Sequence, residues 1–153
     1  MKLDVNRIFP NNPSRFFGSR IIRIVTALYM FVMLVRSCIH LFVSDGGAQS
    51  IAGIDITVAG GENIVAIFHQ WGAIQLILIS LLYILFFRYP GFTPLVLATL
   101  AVEPVMRFVS GRISPVIAEG TPPGEKLNWL GFLLVISLFI ASLIDRSPRK
   151  NNF

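Results

Sequence analysis

Residues 94–110, PLVLATLAVEPVMRFVS, form an apolar run that carries Glu103 and Arg107 at its centre. A second apolar run, residues 21–43, carries Arg36. Charged side chains at such depth in a membrane are costly, and they usually face a protein interior or a water-filled cavity. These two stretches therefore predict an integral membrane protein with a polar site inside it.

The composition supports a membrane location and excludes several classes of function. The 153 residues are 54% hydrophobic and 14% charged, and the mean hydropathy of +0.72 is too high for a soluble globular domain. The net charge of +5 comes from basic residues at chain ends and turns, so we expect no nucleic-acid partner. Cys38 is the only cysteine and the chain has two histidines, which excludes an internal disulfide and the usual Cys/His zinc site. No metal and no cofactor is expected.

Four segments have the length and hydropathy of membrane spans, because about 20 helical residues cross a hydrocarbon core of about 30 Å. They predict an all-α fold, a four-helix transmembrane bundle within residues 21–145. A polar tail, residues 1–20, would lie along the membrane surface, and residues 146–153 would form a basic tail. The predicted spans are residues 21–43, 63–87, 94–110 and 127–144.

The distribution of basic residues predicts the orientation. Nine basic residues precede span one, follow span four or occupy the turn between spans two and three, whereas the other side holds only Arg112 and Lys126 beside five acids. Lysine and arginine concentrate on the cytoplasmic side of membrane proteins. Both termini are therefore predicted to be cytoplasmic, and both long loops to lie outside.

Polar residues of three spans fall at similar depth in the outer half of the predicted bundle. Glu103 and Arg107 are spaced i, i+4 on one helical face, which allows them to pair. The set comprises Arg36, His40, His69, Gln70, Glu103 and Arg107, with Arg112 at the rim. Such a cluster either fixes helix register without a ligand, binds a lipid-like or anionic molecule, or contacts another membrane subunit.

Two alternatives involve chemistry at these residues. His40 and His69 share a depth on adjacent spans, as the axial ligands of a b-type haem would. Glu103 is the only buried acid, so a membrane enzyme would use it for proton transfer on an apolar substrate. A lone acid beside a basic partner carries little catalytic signal, and no known catalytic motif is present.

One string resembles a known family. Arg107-x-x-Ser110-Gly111-Arg112-x-Ser114-Pro115 is similar to the end of the third helix in an uncharacterised family of small four-helix bacterial membrane proteins, with Ile113 where that family has proline. Gly53-Ile54-Asp55 and Gly72 also fit, and the likeness covers roughly residues 20–145. The resemblance implies a multi-pass protein of the bacterial inner membrane and brings no known activity.

Taken together, these patterns favour a non-enzymatic role in the lipid bilayer. The expected function is either ligand or lipid binding at the polar cluster or service as an accessory subunit of a larger membrane complex.

Overall fold

The computed structural model describes residues 3–144, and within that range the regular structure is helical apart from one antiparallel bridge between Leu3 and Ile144. Short 3-10 turns cover Val5–Arg7 and Pro90–Phe92. Lys2 and the predicted basic tail, residues 146–153, lie outside the described residues. The helices are α1 (Arg20–Phe42), α2 (Gly61–Arg88), α3 (Thr93–Ile113), α4 (Pro123–Lys126) and α5 (Asn128–Leu143).

Three helical segments have the length and hydropathy to cross a membrane. They are α1, α2 and Pro90–Ile113, in which the 3-10 turn leads directly into α3. The prediction of an all-helical protein is confirmed for residues 3–144, and three of its helices are long and apolar enough to span a membrane. The predicted fourth span corresponds to α5, which is apolar but has only 16 residues and is therefore about 24 Å long.

The helices pack as two close pairs. One pair is α1 with α2 and the other is α3 with α5, while α2 with α3 and α1 with α5 meet over a smaller area. All four contribute to one apolar core, in which Met30, Phe86, Leu97 and Val135 are almost completely buried. The smaller α2–α3 contact leaves a cleft between those two helices.

The close approach of α1 and α2 depends on Gly72. A Cβ atom at this position would lie 2.6 Å from the backbone nitrogen of Leu41 and 2.7 Å from the carbonyl carbon of His40. Only a residue without a side chain allows the two backbones to come so near. The contact fixes which face of α2 is turned toward α1.

The N-terminal segment lies across one end of the bundle, which we call the terminal end. The Gly91 N–H donates to the Pro13 carbonyl at 2.7 Å, which joins the segment to the turn between α2 and α3. The Asp4 N–H donates to the Leu143 carbonyl at 2.9 Å, and Arg7 Nη1 donates to the Ile144 carbonyl at 2.8 Å. The segment therefore spans from the end of α5 to the α2–α3 turn.

The opposite end, the loop end, carries the two long connections, residues 43–60 and 114–122. The Asp45 carboxylate organises the first by accepting hydrogen bonds from the backbone N–H groups of Gly47, Gln49 and Ser50 and from the Ser50 hydroxyl. These bonds hold the pKa of Asp45 down at about 2. The Glu119 N–H donates to the Gly53 carbonyl at 2.7 Å, so the two connections are tied together as one cap.

The Gly72 contact can be tested by substitution. We expect Gly72→Ala to lower the free energy of unfolding by about 1–3 kcal/mol, because the new methyl group must push two backbones apart. Gly111→Ala is the matched control, since a Cβ atom at Gly111 would meet nothing within 4 Å. Equilibrium unfolding in mixed micelles measures both. An equal effect of the two substitutions would contradict the close backbone contact.

The Asp45 cap gives a pH-dependent expectation. Because folding lowers the pKa of Asp45 from 3.8 to about 2, its contribution is complete above pH 4 and is lost as the pH falls toward 2. We expect the protection factors of the Gly47, Gln49 and Ser50 amides in hydrogen exchange to fall over that interval. Asp45→Asn should lower them already at pH 6, whereas Asp55→Asn should not, since Asp55 holds only Thr57.

Candidate functional site: a glutamate shared by two arginines

The central feature of the site is a carboxylate oxygen that two guanidinium groups share. Arg36 Nη2 lies 2.8 Å from Glu103 Oε1, and Arg107 Nη2 donates to the same oxygen. The three side chains are only 22–26% exposed. Two positive charges against one negative charge give the cluster a net charge of +1. The sequence placed the three residues in one cluster and predicted that Glu103 and Arg107 can pair; in the structure Arg36 pairs with Glu103 as well.

The helix positions place the cluster between mid-depth and the loop end. Glu103 lies ten residues into α3 and Arg36 sixteen residues into α1, which corresponds to about 15 Å and 24 Å from the terminal end. Because α1 and α3 do not form one of the extensive helix contacts, the Arg36–Glu103 ion pair crosses the bundle between helices that otherwise meet little.

Each arginine has a further partner that holds its side chain in place. Arg107 Nη1 donates to the Gly124 carbonyl of α4 at 2.9 Å, so the short helix lies against the cluster. The guanidinium carbon of Arg36 lies 5.6 Å from the centre of the Trp71 ring, a favourable cation–π distance. The Nε atoms of both arginines are buried and have no hydrogen-bond partner within the described part of the chain.

Gln75 belongs to the cluster although the sequence analysis did not select it. When its amide is oriented to match its neighbours, Gln75 Oε1 accepts from Trp71 Nε1 at 2.9 Å and from Arg36 Nη2 at 3.0 Å. Gln70, which was selected, is exposed on the other side of α2. Gln70 and Gln75 are five positions apart in the sequence, which places them about 140° apart around the axis of α2.

Asn128 at the start of α5 binds the backbone of α3 next to Glu103. Its Nδ2 atom donates to the Pro104 carbonyl at 3.0 Å, and its Oδ1 atom is buried without a partner among residues 3–144. Pro104 lies inside α3; it has no N–H to donate to the Leu100 carbonyl, while its own carbonyl accepts the bond from Asn128. Asn128 was also missed by the sequence analysis, since it begins an apolar helix and carries no charge.

The two histidines bind the backbone of the first connection. His40 is 8% exposed and its Nδ1 atom lies 2.8 Å from the Gly46 carbonyl, while His69 Nε2 lies 3.0 Å from the Val43 carbonyl. The His40 ring also stacks on Trp71 with ring centres 4.6 Å apart. At Gly72 the α1 and α2 backbones are in contact beside His40. The haem hypothesis needs a gap for the porphyrin, and this contact leaves none between the helices there.

The remaining predicted position is peripheral. Arg112 is exposed in the last turn of α3, at the loop end. Within residues 3–144, no group of three or more His, Cys, Asp or Glu side chains is arranged to hold a metal ion.

A lateral cleft between α2 and α3 reaches the cluster. Its volume is about 40 Å3, enough for a water molecule or a small polar group. The walls are apolar and come from Met33, Leu78, Ile79, Leu82 and Leu100, whereas the polar lining consists of Ser37, Gln75, Thr99 and Glu103. The cleft thus leads from the side of the bundle to the carboxylate.

Comparison with known proteins gives no relative: no family model, no curated protein and no solved structure matches this chain.

The shared carboxylate can be tested by removing it. We expect Glu103→Met to lower the free energy of unfolding by about 3–5 kcal/mol, because two buried arginines lose their counter-charge. The triple variant Arg36→Met/Glu103→Met/Arg107→Met should recover most of this loss, since no charge is left unpaired. Equilibrium unfolding in mixed micelles measures both. Equal losses in the two variants would show that the ion pairs do not explain the effect.

Proposed function

We propose that this chain is a four-span membrane protein that binds a lipid-like molecule at the Arg36–Glu103–Arg107 cluster. The fourth crossing would be made by α5 together with the preceding α4. The length of α5 is about 24 Å, and α4 with Leu127 extends it at the loop end by about one turn. The apolar sequence of α5 and its packing along α3 support this proposal.

The orientation with both termini in the cytoplasm is supported by the charges at the two ends of the bundle. Within the described residues, the terminal end carries the arginines at positions 7, 15, 20, 23 and 88, against the single acid Asp4. The loop end carries Arg112 and Lys126 together with Asp45, Asp55, Glu62, Glu119 and Glu125. This asymmetry follows the positive-inside rule. The bacterial inner membrane is the membrane that we propose for it.

The lateral cleft is the observation that carries the proposed function. In a bilayer its mouth between α2 and α3 would face hydrocarbon, and Glu103 lines its interior. Polar groups beside hydrocarbon are costly unless they find a polar partner. A molecule with an apolar chain and a polar head meets both requirements, because its head reaches the cluster while its chain remains among lipids.

Lipid binding is tested by filling the cleft. Photolabelling in nanodiscs with a monoacylglycerol that carries a diazirine next to its head group should label residues lining the cleft. We expect Leu78→Trp to reduce this labelling several-fold, because the indole ring is larger than the leucine side chain and fills the cleft at its wall. Leu81→Trp is the matched control, since Leu81 is exposed on the same helix outside the cleft. Equal labelling of both variants would contradict lipid entry by this route.

The four-span topology is tested with single cysteines in a Cys38→Ser background. A membrane-impermeant maleimide applied from outside should label Ser114→Cys at the loop end and should not label Asn11→Cys or Ser147→Cys. Disruption of the membrane should expose the last two. Labelling of Ser147→Cys but not of Asn11→Cys from outside would show that α5 does not cross.

A further inference from the structure

The polar lining of the cleft consists mainly of hydrogen-bond acceptors. The Ser37 hydroxyl donates its proton to the Met33 carbonyl at 2.8 Å, and the Thr99 hydroxyl donates its proton to the Leu95 carbonyl at 3.1 Å. A hydroxyl group has one proton and two lone pairs. Both side chains therefore retain only acceptor capacity toward the cleft.

Glu103 adds a further acceptor. Both arginines bind its Oε1 atom, and its Oε2 atom accepts no hydrogen bond from any residue between 3 and 144. Oε2 is also not one of the buried atoms that lack a partner, so it stays accessible. An ionised carboxylate is an acceptor only, and a ligand here must supply the proton of the hydrogen bond.

The donors of the cluster are directed elsewhere. Arg36 Nη2 and Trp71 Nε1 both point at Gln75 Oε1, and the amide nitrogen of Gln75 then lies 3.5 Å from the Ser37 hydroxyl. The Nε atoms of Arg36 and Arg107 are buried. An anionic head entering from the side would thus meet the lone pairs of Ser37, Thr99 and Glu103, and among the residues that line the cleft only the Gln75 amide offers N–H groups.

The net charge of the site limits which hydrogen-bond-donating head groups a ligand can carry. The net charge of +1 on Arg36, Glu103 and Arg107 disfavours an ammonium head, because like charges repel strongly where the dielectric constant is low. A hydroxyl head donates a proton without bringing a charge. The apolar walls formed by Leu78, Leu82 and Leu100 fit the hydrocarbon that would follow it.

We infer that the cleft between α2 and α3 binds an uncharged lipid with a hydroxyl head, such as a long-chain alcohol, which donates a hydrogen bond to the acceptors beside Glu103, Thr99 Oγ1 or Ser37 Oγ. This inference rests on the proposed lipid-binding function and names the chemical class of the ligand. Head-group selection would come from the acceptors, and the walls would accept many hydrocarbon chains.

The test compares two probes that differ in one proton. The full-length protein is placed in phosphatidylcholine nanodiscs with 1-hexadecanol carrying a diazirine near its head, or with the methyl ether of the same alcohol. Labelled positions are read by peptide mass spectrometry. We expect the alcohol to label the residues that line the cleft about fivefold more than the ether, the effect of one hydrogen bond.

Matched variants connect the effect to the cleft. Thr99→Val removes the acceptor and keeps the side-chain shape, and it should reduce the preference for the alcohol. Thr26→Val is the control, since Thr26 makes the same kind of bond to its own helix at the Ile22 carbonyl but is fully buried and outside the cleft. Ser37→Ala provides a second variant if Thr99→Val does not fold.

The outcomes separate this inference from the proposed function. A preference for the alcohol that Thr99→Val or Ser37→Ala reduces and Thr26→Val retains supports the inference. Equal labelling of the cleft by alcohol and ether, or a preference that none of these substitutions changes, overturns it and leaves lipid binding standing. If neither probe labels the cleft above the level at exposed Ile77 of α2, both the inference and the proposed function fail.

Discussion

The sharing of one Glu103 oxygen by Arg36 and Arg107 is the interaction on which the arrangement of the bundle depends. It joins α1 to α3, two helices that otherwise meet little, and through the Gly124 carbonyl it also holds α4 against the site. Removing one member of a buried ion pair is costly because the partner charge stays behind. The three side chains therefore constrain one another, and with them the relative positions of the two helix pairs.

A second constraint operates at the loop end. His40 and His69 bind the carbonyls of Gly46 and Val43, so the connection after α1 folds back onto the helices from which these rings project. Buried carbonyl groups need such donors. In the turn that follows, the Asp45 carboxylate accepts hydrogen bonds from the backbone N–H groups of Gly47, Gln49 and Ser50. The cap is thus held by His40, His69 and Asp45, residue types that in other proteins commonly bind ligands or act in catalysis.

The sequence predicted the parts of the site that follow from helical spacing and failed where one helix is apolar on all sides. Glu103 and Arg107 are one turn apart, so their pairing needs only local geometry. On α2, hydropathy does not mark an inner face, and depth alone selected Gln70 instead of Gln75. Which glutamine turns inward is decided by the backbone contact at Gly72, a tertiary fact. The sequence did not indicate Asn128 for a related reason, because its hydrogen bond is to the Pro104 carbonyl of another helix.

The two-pair architecture gives the cluster its lateral access. The close packing of α1 on α2 at Gly72 and of α3 on α5 contrasts with the limited contact between α2 and α3. Polar groups at the bottom of that cleft would be costly if no ligand were bound there. Ser37 and Thr99 nevertheless both line it, and each hydroxyl already donates its proton to a backbone carbonyl of its own helix. Such a lining is poorly suited to hydrocarbon alone and well suited to a donor. An ion-pair cluster that served only helix register would need no cleft beside it, and for this reason we propose a ligand site rather than a purely structural role.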